Sequence, residues 1–175
     1  IGALTRQSTI ERSSLVSNKN PLLGHVMPYI GHFEIRNRGT IGGSIVHADP
    51  AAELPAITVL LKAEFTLENA ITARTVKAGD FFVNYLETDA DSTEILTKIR
   101  IPDWPSGWGW GFEEVYRRSG DFALAGAASM IHFDEHNLCD GVQVCVFGVS
   151  EVPHIVDQIG DILVGTDAND GIIGE

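Results

Sequence analysis

Cysteine is nearly missing from this 175-residue chain, with Cys139 and Cys145 the only two. Two thiols at that spacing exclude an iron–sulfur or zinc site built from the chain's own cysteines. They also give no disulfide framework, which fits a cytoplasmic protein. Cys145 stands in the apolar run Val142–Phe147 and reads as a buried, reduced thiol. Basic residues are scarce too: 12 Lys and Arg against 24 Asp and Glu leave a formal net charge of −12. That balance argues against nucleic acid or an anionic membrane surface as a partner. No apolar stretch approaches membrane-spanning length, and no signal-peptide pattern is present. The common phosphate-loop signatures are absent as well, both Gly-x-x-x-x-Gly-Lys-Ser/Thr and a Gly-x-Gly-x-x-Gly opening a strand–turn–helix unit. No acid–base or nucleophile constellation stands out.

What remains is an ordinary globular composition, 44% hydrophobic and 21% charged, with length for one domain or two small ones. The run Ile35–Pro55 is the informative part. It sets Gly39, Gly42 and Gly43 beside Arg36, Arg38, Thr40 and Ser44, and then enters Asp49-Pro50. Glycines leave room for close backbone approach, and successive N–H groups in such a turn form a nest for anions. Hydroxyls and guanidinium groups add donors suited to a diphosphate. The same turn is also compatible with a purely structural role. Asp49 reads as a helix N-cap with Pro50 at the first position. Pro55 disfavours helical geometry at Leu54, which puts Glu53 on a short turn, either as a solvated acid or as an acceptor for ligand hydroxyls.

Elsewhere the pattern is mixed α and β. Residues 8–12 and 21–30 read as helices, the second with Asn20 as N-cap and Pro21 at its first position. Residues 63–68 and 72–77 read as a strand pair joined through Asn69, and residues 80–82 as a short helical turn. Residues 94–101 alternate as a half-buried strand. The breaker-rich stretch 103–111, with Trp104, Trp108 and Trp110, is the expected domain boundary and an expected packing seam. Three strands follow at 110–117, 125–133 and 141–150, then a helix at 153–163.

Three stretches in order carry a family resemblance. The run 35–55, the strand Glu94-Ile-Leu-Thr-Lys-Ile-Arg-Ile-Pro102, and Arg117-Arg-Ser-Gly-Asp-Phe-Ala123 together resemble the FAD-binding medium subunit of the molybdenum hydroxylases. These are the carbon monoxide dehydrogenase and xanthine dehydrogenase relatives. The resemblance implies an α+β fold. Residues 1–106 would be the second half of a two-subdomain FAD-binding domain, a mixed sheet with flanking helices. Residues 107–175 would be a small C-terminal domain with a three-stranded antiparallel sheet and helices.

It also implies FAD as the cofactor of this chain, bound at Arg38, Gly39, Thr40, Ile41, Gly42, Gly43, Ser44, Asp49, Glu53 and Leu96. The Arg117–Ala123 segment would lie beside the flavin ring, with Phe112 either a wall for that ring or a plain core residue. Partners would be a large molybdenum-cofactor subunit and a small subunit with 2Fe-2S clusters. Electrons would pass through FAD to NAD⁺, oxygen or another acceptor. Such subunits carry an earlier Gly-Gly loop, and nothing resembling it precedes Ile1, so the sequence reads as an internal fragment. Two other functions stay open: a cofactor-free scaffold module of the same fold, and a stand-alone flavin oxidase.

Overall fold

The computed structural model describes residues 1–118 and 120–173. Six short helices come first: α1 (Gln7–Glu11), α2 (Ser14–Lys19), α3 (Pro21–Val26), α4 (Phe33–Arg38), α5 (Ile41–His47) and α6 (Glu53–Leu60), with a 3-10 turn at Met27–Tyr29. Strands β1 (Glu64–Glu68) and β2 (Ala73–Lys77), helix α7 (Ala78–Phe81), and strands β3 (Phe82–Asn84), β4 (Glu87–Thr88) and β5 (Ile95–Arg100) complete the first half. The second half holds β6 (Gly109–Val115), β7 (Ala125–Phe133), β8 (Cys139–Phe147), β9 (His154–Ile155), α8 (Ile159–Leu163) and α9 (Asp170–Ile173).

Local chemistry accounts for most boundaries. Asn20 Oδ1 accepts the Leu23 N–H at 3.0 Å and Pro21 opens α3, as its sequence predicts. Ser13 caps α2 in the same way, with Oγ accepting from Val16 N at 3.4 Å. Asn69 Oδ1 accepts from Ile71 N and Thr72 N at 2.9 and 2.8 Å, which closes the β1–β2 hairpin.

The strands form sheets in the orders β2-β1-β5, β3-β4 and β6-β7-β8-β9. Every pair is antiparallel among the described residues, where a mixed sheet was expected for the first half. The fold class is α+β. The third sheet has the three expected strands plus a short fourth. Residues 154–155 leave the helix expected at 153–163 and pair with Cys145 and Val146 instead. Only Ile159–Leu163 of that stretch is helical. A sheet edge exposing unpaired N–H and C=O groups outcompetes a single amphipathic turn here.

One continuous core joins the two halves. Leu22, Leu23, Ile41, Ile45, Leu54 and Ile57 meet Phe65 in the first half, and Phe112, Met130, Cys145 and Phe147 extend the cluster into the second. Each such aliphatic side chain contributes about 1.5–3 kcal/mol through burial. α6 packs against β7 and β8, so it is the beam across the seam. The tryptophans brace the connection: Trp104 Nε1 donates to the Trp108 carbonyl at 2.9 Å, and Trp110 lies 4.6 Å from the His25 ring.

Candidate functional site

The site starts from a small antiparallel crossing. Arg6 and Thr40 form an isolated bridge, with Gln7 N donating to Gly39 O and Ile41 N donating to Thr5 O, both at 3.0 Å. This crossing places Arg6 and Gln7 beside the glycine-rich run. Thr40 then caps α5, its Oγ1 accepting the Gly43 N–H at 3.1 Å.

The expected turn is therefore the first turn of a helix, and the nest of free N–H groups is not formed. Ile41 N–H is bound to Thr5 O, Gly42 N–H to Ala3 O at 2.9 Å, and Gly43 N–H to its own cap. The glycines have separate uses. A Cβ on Gly42 would sit 2.5 Å from the Ala3 Cβ, so this glycine lets the first segment lie on α5. A Cβ on Gly43 would meet only Thr40 Oγ1, at 3.0 Å, so its face stays open. A Cβ on Gly39 would strike the Gln7 amide at 2.6 Å.

That open face borders a cavity of about 550 Å³, within the range of small-molecule and cofactor sites. Arg38, Gly39, Thr40, Gly43, Ser44 and Glu53 all line it. Ile41 and Gly42 are buried beneath it and do not. Leu96 is buried in β5 opposite Leu67, away from the lining. Asp49 is also outside the lining: its Oδ1 accepts Ala51 N–H at 2.9 Å in a local turn, and Ala52, not Asp49, precedes α6.

Sequence reasoning did not find Arg6, Gln7, Ile30 and Ile35 as wall residues. For Arg6 and Gln7 the only signal was the crossing, which joins residues far apart in the chain. Gly120, Asp121 and Phe122 close the far wall, reaching over from the second half. Gly120, at φ +87°, lies so near His32 that a Cβ would clash with the ring at 2.3 Å. Phe112, by contrast, is a core residue, 4.9 Å from the Tyr29 ring and 6.0 Å from Phe147.

The two arginines of α4 divide their work. Arg36 is buried, donates to Glu11 at 2.9 and 3.1 Å, and also holds the carbonyls of Ile30 and Gly31. It is a structural residue, contrary to the expectation that it donates to a phosphate. Arg38 faces the cavity, and Arg6 donates to its carbonyl.

Glu53 is the other departure from expectation. It is the first residue of α6 and 4% exposed, neither on a turn nor solvated. Pro55 falls in the first helical turn, where no N–H is required. Burial pushes the Glu53 carboxyl up to about 7. Its own backbone N–H pulls the other way, and the charges of Glu114 and Asp49 add to the rise.

The cavity thus has a cationic rim at Arg6 and Arg38, hydroxyls at Thr40 and Ser44, apolar walls at Ile30, Ile35 and Phe122, and acids at Glu53 and Asp121. A dinucleotide flavin needs that set: cations for the diphosphate, apolar surface for the ring, and an acceptor or donor for hydroxyls. The opening at Gly43, which a Cβ would fill, fits it as well.

Comparison with known proteins agrees with the geometry. Residues 1–104 match the family described as the FAD binding domain in molybdopterin dehydrogenase. Over 164 residues the chain is 38% identical to the 6-hydroxypseudooxynicotine dehydrogenase complex subunit alpha of Paenarthrobacter nicotinovorans, covering 94% of this chain and 55% of that one. It is 36% identical to the glyceraldehyde dehydrogenase medium chain of Sulfolobus acidocaldarius, covering 99% and 61%. Among solved structures it is similar to reconstituted CO dehydrogenase from Oligotropha carboxidovorans, with a TM-score of 0.93 and 32% identity, covering 99% of this chain and 60% of that one. The chain therefore spans a little over half the length of these relatives. With a family model matching more than half of its residues, the chain belongs to the FAD-binding domains of the molybdopterin dehydrogenases.

Proposed function

We propose that the cavity beside Gly43 holds FAD and that the protein is the flavin-carrying part of a molybdenum hydroxylase. The observation that carries this is the pairing of an open glycine face with two cavity-facing cations, Arg6 and Arg38. Those cations and the hydroxyls of Thr40 and Ser44 hold the diphosphate through charge-assisted hydrogen bonds. Phe122, Ile30 and Ile35 give the ring apolar surface and keep water from it. Glu53 meets a polar oxygen at the opposite wall. Bound FAD supplies the electron chemistry, and these residues supply binding and orientation.

The same reading makes residues 1–106 and 107–175 two domains, with α6 and the Gly120–Phe122 segment joining them over the cofactor. It places the protein in a cytoplasmic complex with a large molybdenum-cofactor subunit and a small 2Fe-2S subunit. Electrons then pass through FAD to NAD⁺, oxygen or another acceptor. Among the described residues no helix is long and apolar enough to cross a membrane.

The test is an absorbance spectrum of the natively purified protein with a gel of its co-purifying chains. Flavin bands on iron–sulfur absorption, with two further subunits, are expected. A monomer carrying no flavin, and taking up none when titrated with FAD, overturns the reading.

A further inference from the structure

Gln7 opens α1, and its amide lies across Gly39 in the cavity wall. Backbone and side chain meet that glycine separately. The Gln7 N–H donates to the Gly39 carbonyl at 3.0 Å. Its Oε1 and Cδ stand 2.6 and 3.1 Å from the place a Gly39 Cβ would take. Gly39 therefore leaves the space that the amide fills. Gln7 is 4% exposed, and its Oε1 accepts no hydrogen bond among the described residues. A buried amide oxygen without a partner has lost its hydration and recovered nothing, so folded proteins rarely leave one.

The backbone donors around it are spent. The Gly39 N–H is bound to the Ile35 carbonyl at 2.7 Å and the Ile41 N–H to the Thr5 carbonyl at 3.0 Å. Arg6, the adjacent side chain, donates to the Arg38 carbonyl. What lies open beside the amide is the cavity, and a partner for it comes from there.

We propose that Gln7 is a ligand-contacting residue of this cavity, and that its amide holds a sugar-type hydroxyl of the bound dinucleotide. The two ends of a glutamine amide exchange by a half-turn of its last torsion, which presents either the oxygen or the NH₂ group. A hydroxyl both donates and accepts, so it meets either end. A phosphate only accepts and would leave the oxygen orphaned, and Arg6 and Arg38 already serve that charge. Gln7 and Gly39 adjoin those two cations in the wall. The groups that flank the diphosphate of FAD are the ribityl chain on one side and the ribose on the other, and both carry hydroxyls. A site with a buried group waiting for a hydroxyl discriminates against an analogue that lacks it, because the group then stays unpaired. The contact rests on the flavin reading above and adds to it a selectivity for the hydroxylated chain.

The experiment compares FAD titrations and ligand-free melting of the unaltered protein and Gln7→Met, both purified natively and freed of flavin. Methionine keeps the length of the side chain and removes its polar end. Gln7→Met should weaken FAD about three- to tenfold, the loss of one hydrogen bond. Its ligand-free melting midpoint should match or exceed that of the parent, since the orphaned oxygen is gone. A midpoint lowered together with affinity makes Gln7 a packing residue and overturns the proposal. Affinity changed by less than about twofold leaves the amide to water and overturns it as well.

A second arm needs no variant to fold. The unaltered protein is titrated with FAD whose ribityl chain is replaced by a plain pentyl chain, and with FAD built on 2′,3′-dideoxyadenosine. One of the two should bind more weakly than FAD by a similar factor, which tells the ribityl hydroxyls from the ribose ones. In Gln7→Met that analogue should bind as FAD does, because the partner of the missing hydroxyl is already absent. Full affinity for both analogues overturns the contact. Absence of FAD binding in the unaltered protein overturns the flavin reading and this contact with it, whereas intact binding that Gln7→Met leaves unchanged overturns the contact alone.

Discussion

Gly42 and Ala3 touch so closely that a Cβ on Gly42 would stand 2.5 Å from the alanine methyl and 2.7 Å from its carbonyl oxygen. The neighbouring Gly43 meets only Thr40 Oγ1. Two adjacent glycines in one motif therefore give opposite mutational results. Gly42→Ala should destabilise the fold by about 1–3 kcal/mol through overpacking, read as a lower denaturation midpoint. Gly43→Val should keep the midpoint within about 1 kcal/mol and strip the flavin. Equal melting losses in both variants would contradict this division.

Arg36 and Arg38 make a second contrasting pair. Arg36→Ala leaves Glu11 partly buried without its cation and frees the carbonyls of Ile30 and Gly31. Removing one partner of a largely buried pair costs about 3–5 kcal/mol, and the exposed edge of Glu11 puts this case at the lower end. Arg38→Ala should change stability by less than about 1 kcal/mol but weaken FAD at least about tenfold, the loss of one charge-assisted contact. Chemical denaturation and FAD titration of the two variants check both halves.

Stability should decline as pH rises from about 4.5 to 7. Glu53 has an ordinary value of 4.5 and is lifted to about 7 by burial. In that window the folded form binds more protons than the unfolded one, so its advantage is complete below 4.5 and is lost as pH passes 7. Glu114, also raised by burial, acts in the same direction. Glu53→Gln should flatten the decline and leave the protein more stable than its parent at pH 8, by on the order of 1–3 kcal/mol. Glu94, held down at about 2 by its hydrogen bonds to Arg74, titrates below this window and does not confuse it. Urea midpoints from pH 4 to 8 decide the sign.

His32 offers a test of the closed wall. Its ring occupies the space that a Cβ on Gly120 would need, with the nearest atom at 2.3 Å. Gly120→Ala also meets a backbone at φ +87°, which penalises a side chain by about 1 kcal/mol or more. The variant should push the Asp121–Phe122 wall away from α4, and FAD affinity should drop severalfold with the first-half helices intact by circular dichroism. Unchanged affinity would show that this wall does not bear on the ligand.

Elements whose signals are local were readable from the residues alone. Asn20 and Pro21 announced α3, Asn69 announced the β1–β2 hairpin, and the expected strand at 125–133 matches β7 over its full length. Glu53 was misjudged because Pro55 looks like a helix breaker until the start of α6 is known. The strands that α6 packs against, β7 and β8, lie far along the chain. Arg6 was missed for the same reason, since only the bridge to Thr40 brings it to the cavity. Val152, Ile155, Ile159 and Leu163 recur at helical spacing, yet the edge of β8 captures Ile155. Spacing alone carries no information about a waiting strand edge.

The contact of Gly120 with His32 has a thermodynamic corollary. The cavity belongs to neither half alone, so a rotation that parts the halves opens it. A ligand that fills it binds only the closed arrangement. Each tenfold excess of that ligand over its dissociation constant then holds the two halves together by a further ~1.4 kcal/mol. Cofactor loading and the rigidity of the seam become one quantity. Protection from proteolysis near residues 103–107 should therefore follow flavin content more closely than it follows temperature.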